Sequence, residues 1–202
     1  MTLEEEVGKG VLKELQRDLE WYKKKIGELD ENQISDFAKT VLLQRSTIFV
    51  AGIGRSGFVA QAFAMRLAQM GRKVRVLGEP TIPPVRKGNL FIVVSGSGTN
   101  LVKEAKIAKE ELGAKVIAIT SYKDSPLAIM ADVVLIIPGR EKEDSEMPYF
   151  ERMMKELPIF PLGTAFEGLT LLFLDGFTGY EVAQGHLSEK DMQAKHAKPQ
   201  IH

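Results

Sequence analysis

Two loops and one acid carry the chemistry that this sequence offers. The segments Ala51-Gly52-Ile53-Gly54-Arg55-Ser56-Gly57 and Ser95-Gly96-Ser97-Gly98-Thr99-Asn100 each follow a short apolar run and precede a helical pattern. Glycine lets the backbone approach a ligand closely, and the start of a helix leaves amides without carbonyl partners, so each loop can aim donors at an anion. Ser56, Ser95, Ser97 and Thr99 add hydroxyls. Either loop alone is equally well a turn with a Ser or Thr cap. Two of them at equivalent places in one sheet describe a phosphate cradle.

The acid is Glu167, in Gly163-Thr164-Ala165-Phe166-Glu167, at the head of an apolar helical stretch reaching Asp175. Thr164 and Glu167 fit a T-x-x-E capping box, and a helix N-terminus stabilises a carboxylate. Packing among Phe166 and Leu169 would instead strip water from the carboxylate and make it a better proton acceptor. The two effects oppose each other, and both roles stay open at this level.

Gly52, Gly54 and Gly57 also satisfy G-x-G-x-x-G, with Glu79 near the place of a ribose-binding acid. Against a dinucleotide, Arg55 and Ser56 place polar groups inside the turn, and the second Ser-rich loop would go unexplained. A chain of 202 residues also leaves little room for a separate catalytic domain. The three histidines, His186, His196 and His202, are scattered and lack a paired Asp/His cluster, so no metal site and no cofactor is expected. Proton abstraction by a carboxylate is then preferred over a metal-assisted hydride shift.

The elements that must position these groups follow from periodicity. Leu3, Val7, Val11, Leu15, Leu19, Tyr22, Ile26 and Leu29 form one apolar stripe at spacings of three and four, which predicts a long amphipathic N-terminal helix. Asp30 or Asn32 can cap a second helix running to about Arg45. Thr47–Ala51, Val74–Leu77, Leu90–Val94, Lys115–Ile119 and Val133–Ile137 read as short strands. Their continuous apolar character suits a parallel sheet covered on both faces. Helices are expected over Ser56–Met70, ending at Gly71, over Asn100–Gly113, and from Ser188 to Lys195, with His196 just beyond. Strand and helix alternate, which predicts an α/β fold: a doubly wound, five-stranded parallel sheet flanked by helices. Pro80–Gly88 and Gly139–Pro161 break the alternation; the first reads as loop, the second as loop with a short helix. The chain reads as a single domain over 1–202, with N-terminal helices to 45, a core over 46–180 and a C-terminal helix and tail over 181–202.

Composition closes off other classes. Lys plus Arg and Asp plus Glu both number 27, giving zero net charge, which argues against a nucleic-acid partner. The absence of cysteine excludes disulfides, thiol catalysis and cysteine-ligated metals. Apolar runs are short and the N-terminus is acidic, so neither a membrane span nor a secretory signal is expected, and a cytoplasmic location is.

Ala51-Gly-Ile-Gly-Arg-Ser-Gly57, Val94-Ser-Gly-Ser-Gly-Thr99, Ala118-Ile-Thr-Ser121 and Pro161-Leu-Gly-Thr-Ala-Phe-Glu167 together resemble the SIS (sugar isomerase) domain. The P-L-G-T-x-F-E segment and Lys195-His196-Ala197 point, within it, to the 6-phospho-3-hexuloisomerases. That resemblance implies interconversion of D-arabino-3-hexulose 6-phosphate and D-fructose 6-phosphate, after 3-hexulose-6-phosphate synthase in formaldehyde fixation or in reverse to supply pentose phosphates. It implies a homotetramer and a sugar-phosphate substrate held by Gly54, Arg55, Ser56, Ser95, Gly96, Ser97, Gly98, Thr99 and Asn100. It assigns catalysis to Glu167 as proton-transferring base and to His196, which would approach a neighbouring subunit's cleft. A 3-ketose phosphorylated on C6 cannot close a five-membered ring through its C5 hydroxyl, so a dedicated ring-opening histidine is less needed. The same loops occur in SIS sugar-phosphate sensors and in other SIS ketose/aldose phosphate isomerases, which are the alternatives. The sequence departs from the pattern in the length of Gly139–Glu156 and at Lys198, where the family commonly has Asn.

Overall fold

The computed structural model describes residues 3–139, 160 and 164–195. Two helices come first, α1 (Leu3–Ile26) and α2 (Glu31–Leu43). Asp30 starts α2 by accepting hydrogen bonds from the amides of Asn32 and Gln33, at 2.8 and 3.1 Å. The sheet follows, with β1 (Ile48–Gly52), α3 (Arg55–Gln69), β2 (Val74–Val76) and β3 (Leu90–Val94). Next come α4 (Val102–Lys106), prolonged by a π-helical turn over Ile107–Glu111, then β4 (Lys115–Thr120), α5 (Pro126–Met130) and β5 (Val133–Ile136). Two further helices are α6 (Thr164–Ala183) and α7 (Glu189–Ala194).

All strand pairs are parallel, in the order β2-β1-β3-β4-β5. The chain moves outward to β2 after β1, and to β4 on the other side after β3. The carboxyl ends of β1 and β3 therefore flank the point where the winding reverses, which is where open α/β sheets bind ligands. Register places Gly52 opposite Val94, so the loops that leave these two strands begin side by side.

The strands are apolar on both faces because both are covered. Ile48, Val50, Leu90, Ile92, Ile117 and Ile119 pack with Phe37, Phe63, Phe166 and Leu169 on one face. Phe49, Ala51, Phe91, Val93, Val116 and Ala118 pack with Ala105, Ala108 and Leu127 on the other. Phe37 lies between Phe63, Phe173 and Phe177, with ring centroids 6.1, 5.5 and 5.5 Å away, tying α2 and α3 to α6.

Several expectations shift locally. The helix expected from Asn100 begins at Val102, because Leu101 adopts a left-handed conformation (φ 59°). The N-terminal stripe is real, but Val7, Val11, Leu15 and Leu19 are exposed, since only the last turns of α1 reach the body of the chain. Trp21, Tyr22 and Leu29 make the contact with the core. Gly71 does close α3 with a positive φ, and Ser188 caps α7 in a reciprocal box with Asp191. Most of Gly139–Pro161 and His196 lie outside the described residues.

Candidate active site

The first loop is shaped by close backbone approach. Gly54 (φ 60°) stands at the N-cap of α3 and makes no side-chain cap, so the amides of Arg55 and Ser56 are left without helical partners. Gly57 packs against β1, where an added Cβ would come within 2.8 Å of the Gly52 carbonyl oxygen. This tight strand-to-helix turn buries Ser56 and leaves Arg55 exposed at the mouth.

The second loop is locked from below by β4 and the residues after it. The Gly96 carbonyl accepts from Thr120 Oγ1 at 3.3 Å and from the Ser121 amide at 3.1 Å. Gly98 (φ 63°) returns its amide to the Ser95 carbonyl at 2.9 Å, and its carbonyl accepts from the Leu127 amide at 3.0 Å. A Cβ on Gly98 would collide with Ser125 Oγ, so position 98 is glycine on two counts. Above this base, Ser97 Oγ and Thr99 Oγ1 share a hydrogen bond of 2.8 Å. Ser95 is 2% exposed, and among the described residues its buried hydroxyl has no hydrogen-bond partner. A buried orphan hydroxyl costs stability and calls for an explanation. Thr99 and Asn100 sit at the exposed rim.

Glu167 joins the first loop across 111 residues of sequence, and it is 6% exposed. Ser56 Oγ donates to Glu167 Oε1 at 3.2 Å. Arg55 Nε lies 3.6 Å from Oε2, and among the described residues the buried Oε2 has no hydrogen bond of its own. The capping-box expectation is therefore not met. Thr164 is already the first helical residue of α6, and the carboxylate turns toward α3 rather than back along its own helix. The head of α6 is placed by Gly139, whose missing side chain lets the Phe166 amide and Ala165 carbonyl carbon lie directly against it.

The structure thus brings Arg55, Ser56 and Glu167 into one cluster beside the Ser95–Asn100 loop. Tyr22 is an addition that the sequence reading placed only in an apolar stripe: its hydroxyl lies against Gly168, the residue after Glu167. Nothing in the periodicity distinguishes it from the leucines around it. Glu79, the acid of the dinucleotide reading, is exposed beyond β2. Among the described residues, no group of three or more His, Cys, Asp or Glu side chains is placed to hold a metal ion.

The SIS domain model matches residues 41–154, which contain both loops. The chain belongs to the SIS domain family. This SIS chain is 35% identical over 168 residues to a protein of Bacillus subtilis named 3-hexulose-6-phosphate isomerase, covering 82% of this chain and 86% of that one. It is 38% identical over 154 residues to a protein of the same name from Methylomonas aminofaciens, covering 74% and 78%. A crystal structure from Methanococcus jannaschii, for which a molecular function of 3-hexulose-6-phosphate isomerase was inferred, superposes with a TM-score of 0.72. It is 27% identical and covers 95% of this SIS chain and 99% of its own. The matches extend the likeness from the loops to almost the whole architecture.

Proposed function

We propose that this SIS chain is an isomerase that moves a ketone between C2 and C3 of a hexulose 6-phosphate, interconverting D-arabino-3-hexulose 6-phosphate and D-fructose 6-phosphate. The observation that carries the reading is the buried carboxylate of Glu167, held by Ser56 and Arg55 beside two glycine-serine loops. The relatives named 3-hexulose-6-phosphate isomerase support a 3-hexulose 6-phosphate as one side of the reaction.

In this mechanism the phosphate sits over the two loops, where the amides at the head of α3 and the hydroxyls of Ser95, Ser97 and Thr99 meet its oxygens. Binding energy from the phosphate, remote from the reacting carbons, positions them. With fructose 6-phosphate, Glu167 takes the proton from C3. The C3–H electron pair forms the C2=C3 bond and the C2 carbonyl pair moves onto oxygen, giving a cis-enediolate, and the C3 hydroxyl proton then passes to the neighbouring C2 oxygen. The electron pair on the C3 oxygen then re-forms a carbonyl, and the C2=C3 pair takes the proton back from the Glu167 carboxylic acid at C2 on the same face, leaving a hydroxyl on C2 and the ketone on C3. Arg55 is placed to offset negative charge on the enediol oxygens, and Ser56 holds the carboxylate in one orientation.

The wider reading is a single domain over 1–202 that works in the cytoplasm alongside 3-hexulose-6-phosphate synthase. The exposed apolar stripe on α1 supports assembly into a homotetramer. A catalytic contribution from His196 of a neighbouring subunit belongs to the same reading. No helix among the described residues is long and apolar enough to cross a membrane.

The test is proton NMR of fructose 6-phosphate in deuterium oxide with EDTA-treated protein. A 2,3-enediol exchanges deuterium into C3. Label at C1 would keep the isomerase class and move the substrate to an aldose–ketose pair. No label, with the sugar phosphate still bound, would favour a sensor.

A further inference from the structure

Tyr22 stands beside the proposed base and has no part in the mechanism above. Its ring is held by Trp21 and Phe160, at centroid distances of 5.5 and 5.4 Å, and those two rings lie 4.9 Å apart. This aromatic clamp fixes the phenol at the head of α6. There the hydroxyl rests on Gly168, and any side chain at that position would collide with it. Among the described residues no hydrogen bond engages the phenol. Burial and the negative charges of Asp18 and Glu167 raise its pKa above the ordinary tyrosine value, with Arg55 opposing, so it carries its proton at neutral pH. A fixed, protonated O–H against Gly168, one residue from Glu167, is a donor held at the head of α6.

We propose that Tyr22 is a further site residue whose phenol donates a hydrogen bond to a substrate oxygen next to the carbon that Glu167 deprotonates. The phenol keeps its proton throughout; it shares the charge that builds on the enediol oxygen and orients the open-chain sugar. The assignment rests on the isomerase reading for the identity of that oxygen. The position of the hydroxyl, one residue from Glu167, follows from the clamp and from Gly168.

Tyr22→Phe tests it, because phenylalanine keeps the clamp and removes only the donor. Isomerisation of fructose 6-phosphate is followed by NMR, and binding by the emission of Trp21, the single tryptophan of the chain, which packs on Tyr22. The expected result is a kcat lowered at least ten-fold, with KM within three-fold and the melting temperature unchanged. A kcat within two-fold of wild type overturns the assignment, whatever the melting temperature does. If wild type binds fructose 6-phosphate but turns nothing over, the isomerase reading has failed, and binding decides. A Kd at least five-fold weaker in Tyr22→Phe then upholds the donor, and an unchanged Kd overturns it. A wild-type Trp21 emission that ignores saturating ligand also overturns it, since the ligand would not lie near this helix.

Discussion

Glu167→Gln separates a catalytic acid from a structural one, because the structure makes the two roles differ in sign. Glutamine keeps the shape and an oxygen for the Ser56 hydroxyl, but it cannot take a proton. The ion pair that is lost has a gross Coulomb energy of about 5 kcal/mol, for unit charges 3.6 Å apart at an effective dielectric constant of about 20. Arg55 is 59% exposed, so solvent screens most of that gain. Burying the carboxylate, with Oε2 unbonded, costs several kcal/mol in the opposite direction. The screened attraction is smaller than the cost of burying the charge, so the variant should fold at least as stably as wild type. Removal of a general base lowers turnover by about 10²–10⁴-fold, which corresponds to about 3–5 kcal/mol of barrier. Urea unfolding and C3 deuterium exchange, measured on the same preparation, read the two quantities. A capping residue would show the reverse pattern: a loss of about 1 kcal/mol, or about 2–4 °C in melting temperature, with the rate retained. That result would refute the assignment of Glu167 as base.

Three further outcomes follow from named contacts. Ser95→Ala removes a buried hydroxyl that has no partner, so the free protein should be unchanged or up to about 1 kcal/mol more stable, while fructose 6-phosphate binding weakens about ten-fold or more by calorimetry. Gly98→Ala forces a side chain onto a positive φ and into Ser125 Oγ; urea unfolding should show a loss of at least about 1–3 kcal/mol. Asp191 is held below the ordinary carboxylate pKa, first by the Ser188 hydroxyl and then by the Ser188 amide. Its contribution to α7 is present above the unfolded value and is lost as pH falls through the folded one, so amide exchange in Glu189–Ala194 should rise in acid before the sheet responds.

The five strands were legible because each is a short apolar run bounded by Gly, Pro, Asp or Ser, and a sheet covered on both faces admits little else. The phosphate loops were legible for a related reason: glycine and serine at a strand end, before a helix, meet a local backbone need. The roles of Glu167 and Tyr22 were not. The T-x-x-E spacing at Thr164 is compatible with a cap, and only the docking of α6 against Gly139 and α3 turns the carboxylate to Ser56 and Arg55 instead. Tyr22 shares its periodicity with residues that end exposed; what sets it apart is that the last turns of α1 meet the head of α6. Leu101 broke the expected helix start by taking a left-handed conformation that its residue type does not announce. Local pattern records what each segment needs from its own backbone and from a face of water or core. Which side chains meet across 111 residues is decided by how the elements pack, and that meeting makes the site.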